Sequence, residues 1–408
     1  MENQKTIGNV NVLNMLNATE ASVADIQRIG NVNFALVTPE TAPLLQRIPI
    51  GNLNTTMQIP SGSKLVTQNG QLTVNADFFK NVDQKIFFVV NGQMIVEPGV
   101  PLADIEKGLA GVGVNGQFFC PEDLIGAFNA KPYQVNGQSA AYPPFKHMVI
   151  QSLDLDKGYL EGLDDGAEIS LLGDLSVPKV LDNGLLERKI GKLFVSGKIW
   201  CHEENAPAIR ARLVKPAKVN TVPAGFEWVK KPLVLDGDTL EVLPGKKLYC
   251  KEWVRITPEV APQAFDQHLE RLIAKELVLC PSALKSTLAQ KCDLFETKVV
   301  FYADTLWLVQ DEQTLHSARF AGLEGSATLV VTGELTIDAE IAPATLAEHL
   351  SAVHNFGEIR GTPDQIAALR SRLSQYEGEL EEVSPDAEPP QEEEPPQDHM
   401  GNVNILAL

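Results

Sequence analysis

The residues best suited to chemistry in this chain are its five cysteines, Cys120, Cys201, Cys250, Cys280 and Cys292. Three of them share one setting: Phe119-Cys120-Pro121-Glu122, Trp200-Cys201-His202-Glu203 and Leu279-Cys280-Pro281-Ser282. A thiol at the start of a helix has its pKa lowered by the helix dipole, which would make it a nucleophile or a redox sensor. Two further copies of the setting carry threonine instead, in Val37-Thr38-Pro39-Glu40 and Gly361-Thr362-Pro363-Asp364. A required nucleophile does not tolerate that exchange. A small corner residue does, because a free cysteine packs as a small hydrophobe.

Other constellations fail for specific reasons. Cys201-His202-Glu203-Glu204 collects metal-ligand types, but neighbours along a strand point to opposite faces and no second Cys/His cluster has zinc spacing. His349 and His354 have loose ligand spacing and no cysteine partners. In LDLDKGYLEGLDDG (153–166), Gly158 comes one place too early for a calcium loop. The chain has no G-x-S-x-G and no phosphate-binding P-loop, and the G-x-G-x-x-G at 111–116 leads into an apolar run, not out of a strand. No catalytic, cofactor-binding or metal residue is assigned, and the expectation is a protein that is not an enzyme and carries no cofactor.

What positions these residues is a repeat. Asn-Gly-Gln occurs at 69–71, 91–93, 115–117 and 136–138, at steps of 22, 24 and 21 residues. Gly-Asn-(Val/Leu)-Asn at 8–11, 30–33 and 51–54 keeps the same rhythm. Over this runs a longer period, since the third position of the corner falls at 39, 121, 202, 281 and 363. Long repeats are read near 16–97, 98–178, 179–257 and 258–340, with a partial one at 341–376.

Within one coil, the residues before the corner (Phe118, Phe119, Ile199, Trp200) suit a short buried strand entered through a glycine such as Gly116. The same strand-like setting makes Phe87, Phe88, Trp253 and Trp307 stacked core, with a ligand-binding stripe as the alternative. After the corner, apolar residues fall three or four apart: Leu124 with Ala127 and Phe128, Leu284 with Leu288, and Ile366 with Leu369 and Leu373. Pro39, Pro121, Pro281 and Pro363 suit a first helical turn, and Thr38 and Thr362 suit its cap. A strand, a corner and a helix in about 22 residues resembles the architecture of leucine-rich repeats, although that family's L-x-x-L-x-L-x-x-N signature does not recur. The predicted fold is therefore an α/β solenoid over 1–376, with a parallel β-helix as the alternative for part of it.

From Glu377 to Asp398 there are ten acidic residues and no basic one. With its prolines, the segment 377–400 reads as a disordered linker. It carries about half of the net charge of −19, a total that argues against binding nucleic acid. There is no run of about 18 apolar residues to span a membrane, no leader-like start at the N-terminus, and no disulfide-like cysteine pattern, so a cytoplasmic location is expected. The last eight residues, Gly401-Asn402-Val403-Asn404-Ile405-Leu406-Ala407-Leu408, then copy the Gly8–Leu13 motif. Val403, Ile405, Leu406 and Leu408 are the candidate interaction residues. They are expected to dock as a strand on the end of the repeat array, in the same chain or another copy. Self-association of a scaffold is the leading functional reading. A solenoid module that binds another protein or peptide, and then a β-helix carbohydrate-active enzyme, are the alternatives.

Overall fold

The computed structural model describes residues 5–80, 82–243, 245–383 and 399–408. The chain is α/β, with many short parallel strands in small sheets. Its first strands are β1 (Lys5–Asn14), β2 (Ile26–Val37), β3 (Ile50–Gln58), β4 (Lys64–Val74), β5 (Ile86–Val96), β6 (Leu109–Pro121) and β7 (Tyr133–Tyr142). Their β-branched and aromatic runs pack well on a pleated surface. Parallel neighbours need a crossover, and short helices such as Leu102–Gly108 and Ile125–Asn129 lie in the crossovers on either side of β6.

The repeat spacing is the pairing register. Asn9 pairs with Asn31 and Asn31 with Asn52, while Asn69, Asn91, Asn115 and Asn136 pair in succession across β4 to β7. The order returns later, as His147 pairs with Ile169 and Ile169 with Leu193, and again as Thr305 pairs with Ala327 and Leu329 with Val353. Contacts divide the described chain into two compact units, residues 5–201, 205–220 and 399–408 in one, and 202–204 and 221–383 in the other.

The glycine of Asn-Gly-Gln does not open a strand. Gly92, Gly116 and Gly137 lie inside long strands, with φ of 137°, 136° and 138°, a region nearly closed to residues with a Cβ. The bend they permit lets one strand serve three partners. Phe88, Val90, Met94 and Val96 of β5 face the core shared by β4 to β7. On the opposite face, Phe87 and Val89 before the bend pack with Phe34 and Met57, whereas Ile95 after it packs with Phe119, Tyr142 and Leu172. Further along, the strand breaks at this point: Ala167–Leu171 and Leu175–Ser176 flank Gly173, and Ala327–Val331 and Glu334–Ile337 flank Gly333.

The corners follow the expected helix start only at Thr362. Its hydroxyl accepts from Gln365 N, the Gln365 side chain accepts from Thr362 N, and Pro363 is the first helical residue. Elsewhere Pro121 and Pro281 end strands and Pro39 sits in a turn, so the helices begin three or four residues later, at Ile125, Lys285 and Ala42. A turn or 3₁₀ segment intervenes, such as Ser282–Leu284. Leu373 is not on the helical stripe of Ile366 and Leu369. The helix ends at Arg370, and Leu373 opens a strand paired with Val353.

The acidic segment is also partly ordered, against expectation. Glu379–Glu382 forms a strand on Glu358–Gly361. Arg360 reaches Glu334, Glu358 and Glu381, which offsets the repulsion along that edge, and Leu380 packs on the core beneath. Residues 384–398 lie outside the described residues.

Asp304 provides a pH-dependent contact in the same unit. Its carboxylate accepts from Thr328 Oγ1 at 2.6 Å and Ser326 Oγ at 2.7 Å. Partial burial alone would raise its pKa, but the hydroxyls of Ser351, Thr328 and Ser326 outweigh this and hold it below the ordinary aspartate value. A pKa depressed by folding contributes stability that is present above the unfolded value of about 3.9 and is lost as pH falls through the folded one. Asp304→Asn should therefore lower the melting temperature at pH 7, and the gap to wild type should narrow below pH ~4. A gap that stays constant down to pH ~2.5 would show that the charge contributes nothing.

Candidate interaction site at the joined ends of the chain

β1 lies in the interior of its sheet because the far end of the chain supplies its second neighbour. The strand Val403–Ala407 pairs in parallel with β1, matching Val10 to Val403, Val12 to Ile405, Leu13 to Leu406 and Asn14 to Ala407. His399–Met400 extends the pairing to Thr6 and Ile7, and Leu408 N donates to Asn14 O at 3.0 Å. The sheet order is β3, β2, β1, terminal strand. The sequence identity between Gly8-Asn9-Val10-Asn11 and Gly401-Asn402-Val403-Asn404 thus becomes a spatial register, with each residue stacked on its own copy.

This stacking builds two kinds of column. On the inner side, Val403, Leu406 and Leu408 pack against a core containing Val10, Leu13 and Val32. On the outer side the asparagines bond through their side chains. Asn31 Nδ2 donates to Asn9 Oδ1 at 2.6 Å and Asn9 Nδ2 to Asn402 Oδ1 at 2.8 Å. In the next column, Asn54 donates to Asn33, Asn33 to Asn11 and Asn11 to Asn404, at 3.3, 3.0 and 3.2 Å. Such amide ladders satisfy donor and acceptor together only when identical residues stack in register. The recurrence of asparagine was visible in the sequence, but its bonding was not.

The expected corner residues are brought into no shared site. Cys120, Cys201 and Cys280 are fully buried at or near strand ends. Burial pushes the Cys120 thiol well up, and raises Cys201 to about 11 and Cys280 to about 12. A thiol so shifted holds its proton at neutral pH and is a poor nucleophile. Thr38 exchanges hydrogen bonds with Thr41 in the corresponding turn. Among the described residues no three His, Cys, Asp or Glu side chains are grouped to hold a metal. His354 is buried beside Gln375, while His349 ends the helix Pro343–His349.

Phe87, Phe88, Phe118, Phe119 and Trp307 are buried in the packed interior. Trp253 is half-buried and, with Leu277, Leu279, Leu308 and Phe356, lines a cavity of about 310 Å³ that Lys275 and Lys298 border. It draws residues from Trp253 to Phe356, segments far apart along the chain, and could not be read from the sequence.

Buried polar side chains that sequence reasoning missed tie coil to coil. Tyr142 donates to Val96 O and Tyr302 to Ile256 O, both at 2.5 Å. Asn205 bonds both backbone groups of Leu181, and Gln365 donates to the carbonyls of Asp338 and Ile341. Tyr142 and Tyr302, like Asn205 and Gln365, stand 160 positions apart, two long repeats. No helix among the described residues is long and apolar enough to cross a membrane. No protein-family model, curated protein or solved structure matches the chain.

Proposed function

We propose that this chain is a non-enzymatic structural or scaffolding protein, an α/β solenoid of 22-residue coils, that self-associates through docking of its C-terminal strand. The observation that carries the reading is the register of Gly401–Asn404 on Gly8–Asn11, in which an internal copy of the strand motif, placed after an acidic segment, seats on the strand it duplicates. A strand that fits its own chain fits the same edge of another copy equally well, so exchange between chains needs no new contacts. The raised pKa values of the corner thiols support a structural role for those residues. A second reading, a module that binds a peptide of another protein, draws its support from the Trp253 cavity.

Deleting 401–408 tests the leading reading. Wild type should show reversible, concentration-dependent mass above the 44.5 kDa of one chain in light scattering, and the deletion variant, with β1 left bare, should lose that reversible step, any larger species it forms being irreversible aggregate. Equal masses for the two proteins at every concentration would remove the self-association reading.

A further inference from the structure

The sheet built from both ends of the chain has two outer edges, β3 on one side and the terminal strand on the other, and among the described residues neither edge has a further strand partner. Both carry the same motif, Gly51-Asn52-Leu53-Asn54 and Gly401-Asn402-Val403-Asn404. The columns that run through the sheet are cut off there. Val10 and Val32 are 2% and 1% exposed, but Leu53, next in their column, is 36% exposed. Val12 and Phe34 are 3% and 1% exposed, and Ile405, at the other end of their column, is 37% exposed. Each column is buried where another rung covers it and open where the rungs stop.

The amide ladder has a direction as well. In every step the residue nearer β3 donates and the residue nearer the terminal strand accepts, from Asn54 through Asn33 and Asn11 to Asn404. The ladder therefore ends in the Asn404 Nδ2 donor on one edge and the Asn54 Oδ1 acceptor on the other. Asn54 Oδ1 accepts from Asn52, and an amide oxygen has a second lone pair for another donor. Two such edges are complementary in motif, strand direction, apolar column and hydrogen-bond polarity.

We infer that the partner for these edges is a second copy of this chain, whose terminal strand adds in parallel to β3 and continues the sheet. Val403 of one copy covers Leu53 of the next, Ile405 lies against Thr55, and Asn404 donates to Asn54. The contact is heterologous, so repetition gives rings or filaments. This rests on the self-association proposed above and changes its geometry. The terminal strand stays clasped on its own β1 and offers its outer edge, instead of leaving to dock on another chain.

Cysteine pairs separate the two geometries. Adjacent strands lie ~4.8 Å apart, so positions 54 and 404 of one chain, three steps apart, are ~14 Å from each other. Disulfides need Cα atoms within ~7 Å. All five native cysteines are buried, Asn54 and Asn404 are exposed and Asn11 is half-buried, so folding should be retained; melting curves check this. Under mild oxidation, Asn54→Cys/Asn404→Cys should give a ladder of covalent species in 44.5 kDa steps on non-reducing gels, and Asn11→Cys/Asn404→Cys should close within single chains. Leu53→Lys, a charge placed on the open edge, should hold the protein at one chain in light scattering with its melting temperature unchanged. If only the 11/404 pair links chains, edge pairing is overturned while strand exchange stands. If neither pair links chains, edge pairing is overturned, and the deletion experiment alone decides self-association.

Discussion

Gly116→Ala is expected to destabilise the fold by about 4 kcal/mol or more, enough to lose most soluble protein. Two costs add. Holding a residue with a Cβ at φ 136° costs of order 1–3 kcal/mol. The new Cβ would also stand 2.1 Å from the Gly92 carbonyl oxygen and 2.9 Å from its carbon. The obstacle is backbone in the next rung, so relief means separating β5 from β6. Gly92 and Gly137 meet the same wall, at 2.2 and 2.1 Å, and should behave alike. Gly126, in the helix Ile125–Asn129, has nothing within 4 Å, and Gly126→Ala should be neutral or slightly stabilising. Urea unfolding of the two variants checks the contrast. A shift below about 1 kcal/mol for Gly116→Ala would mean that the rungs part easily.

Gln365→Leu should cost about 2–4 kcal/mol, and Asn205→Leu a similar amount. Gln365 is 1% exposed and spends its amide on three backbone groups, donating to Asp338 O at 2.9 Å and Ile341 O at 2.8 Å and accepting from Thr362 N at 2.9 Å. Asn205 accepts from Leu181 N at 3.0 Å and donates to Leu181 O at 2.8 Å. Leucine fills much of the volume but strands those backbone groups away from water, at ~1–3 kcal/mol for each group left unpaired. Thermal melts of the two variants and of exposed controls on the same helices read the cost. Melting temperatures within 1–2 °C of wild type would show that water or a backbone shift replaces the bonds.

These two sites mark the limit of what the sequence discloses. The steps between Asn69, Asn91, Asn115 and Asn136 gave the strand register directly, since a repeat that stacks on itself must pair each residue with its copy. The need for glycine at 116 was not legible, because it comes from a carbonyl 24 residues away that closes over it only when the rungs are stacked. Asn205 and Gln365 hid for another reason. They stand 160 positions apart and are different amides, each bonded to backbone 24 positions before it, so no motif links them. The thiols show the converse. Comparing Cys120 with Thr38 and Thr362 pointed to a small corner residue, and Cys120 is buried, while the corner itself, read as a helix start, is in most copies a strand end followed by a turn. At the seam, the copied motif at 401–408 identified the strand, and only the structure shows it seated on β1 with its amides joined to Asn9 and Asn11.

The seam also sets an order of events in synthesis. Asn9 and Asn402 are hydrogen-bonded across 393 positions, so the rung that covers β1 is translated long after β1 itself. Until then β1 presents an open edge, the kind of surface on which chains aggregate. Any product that stops before Gly401 keeps that edge bare for good. β1, translated before every other strand described, is thus among the last to gain both of its neighbours.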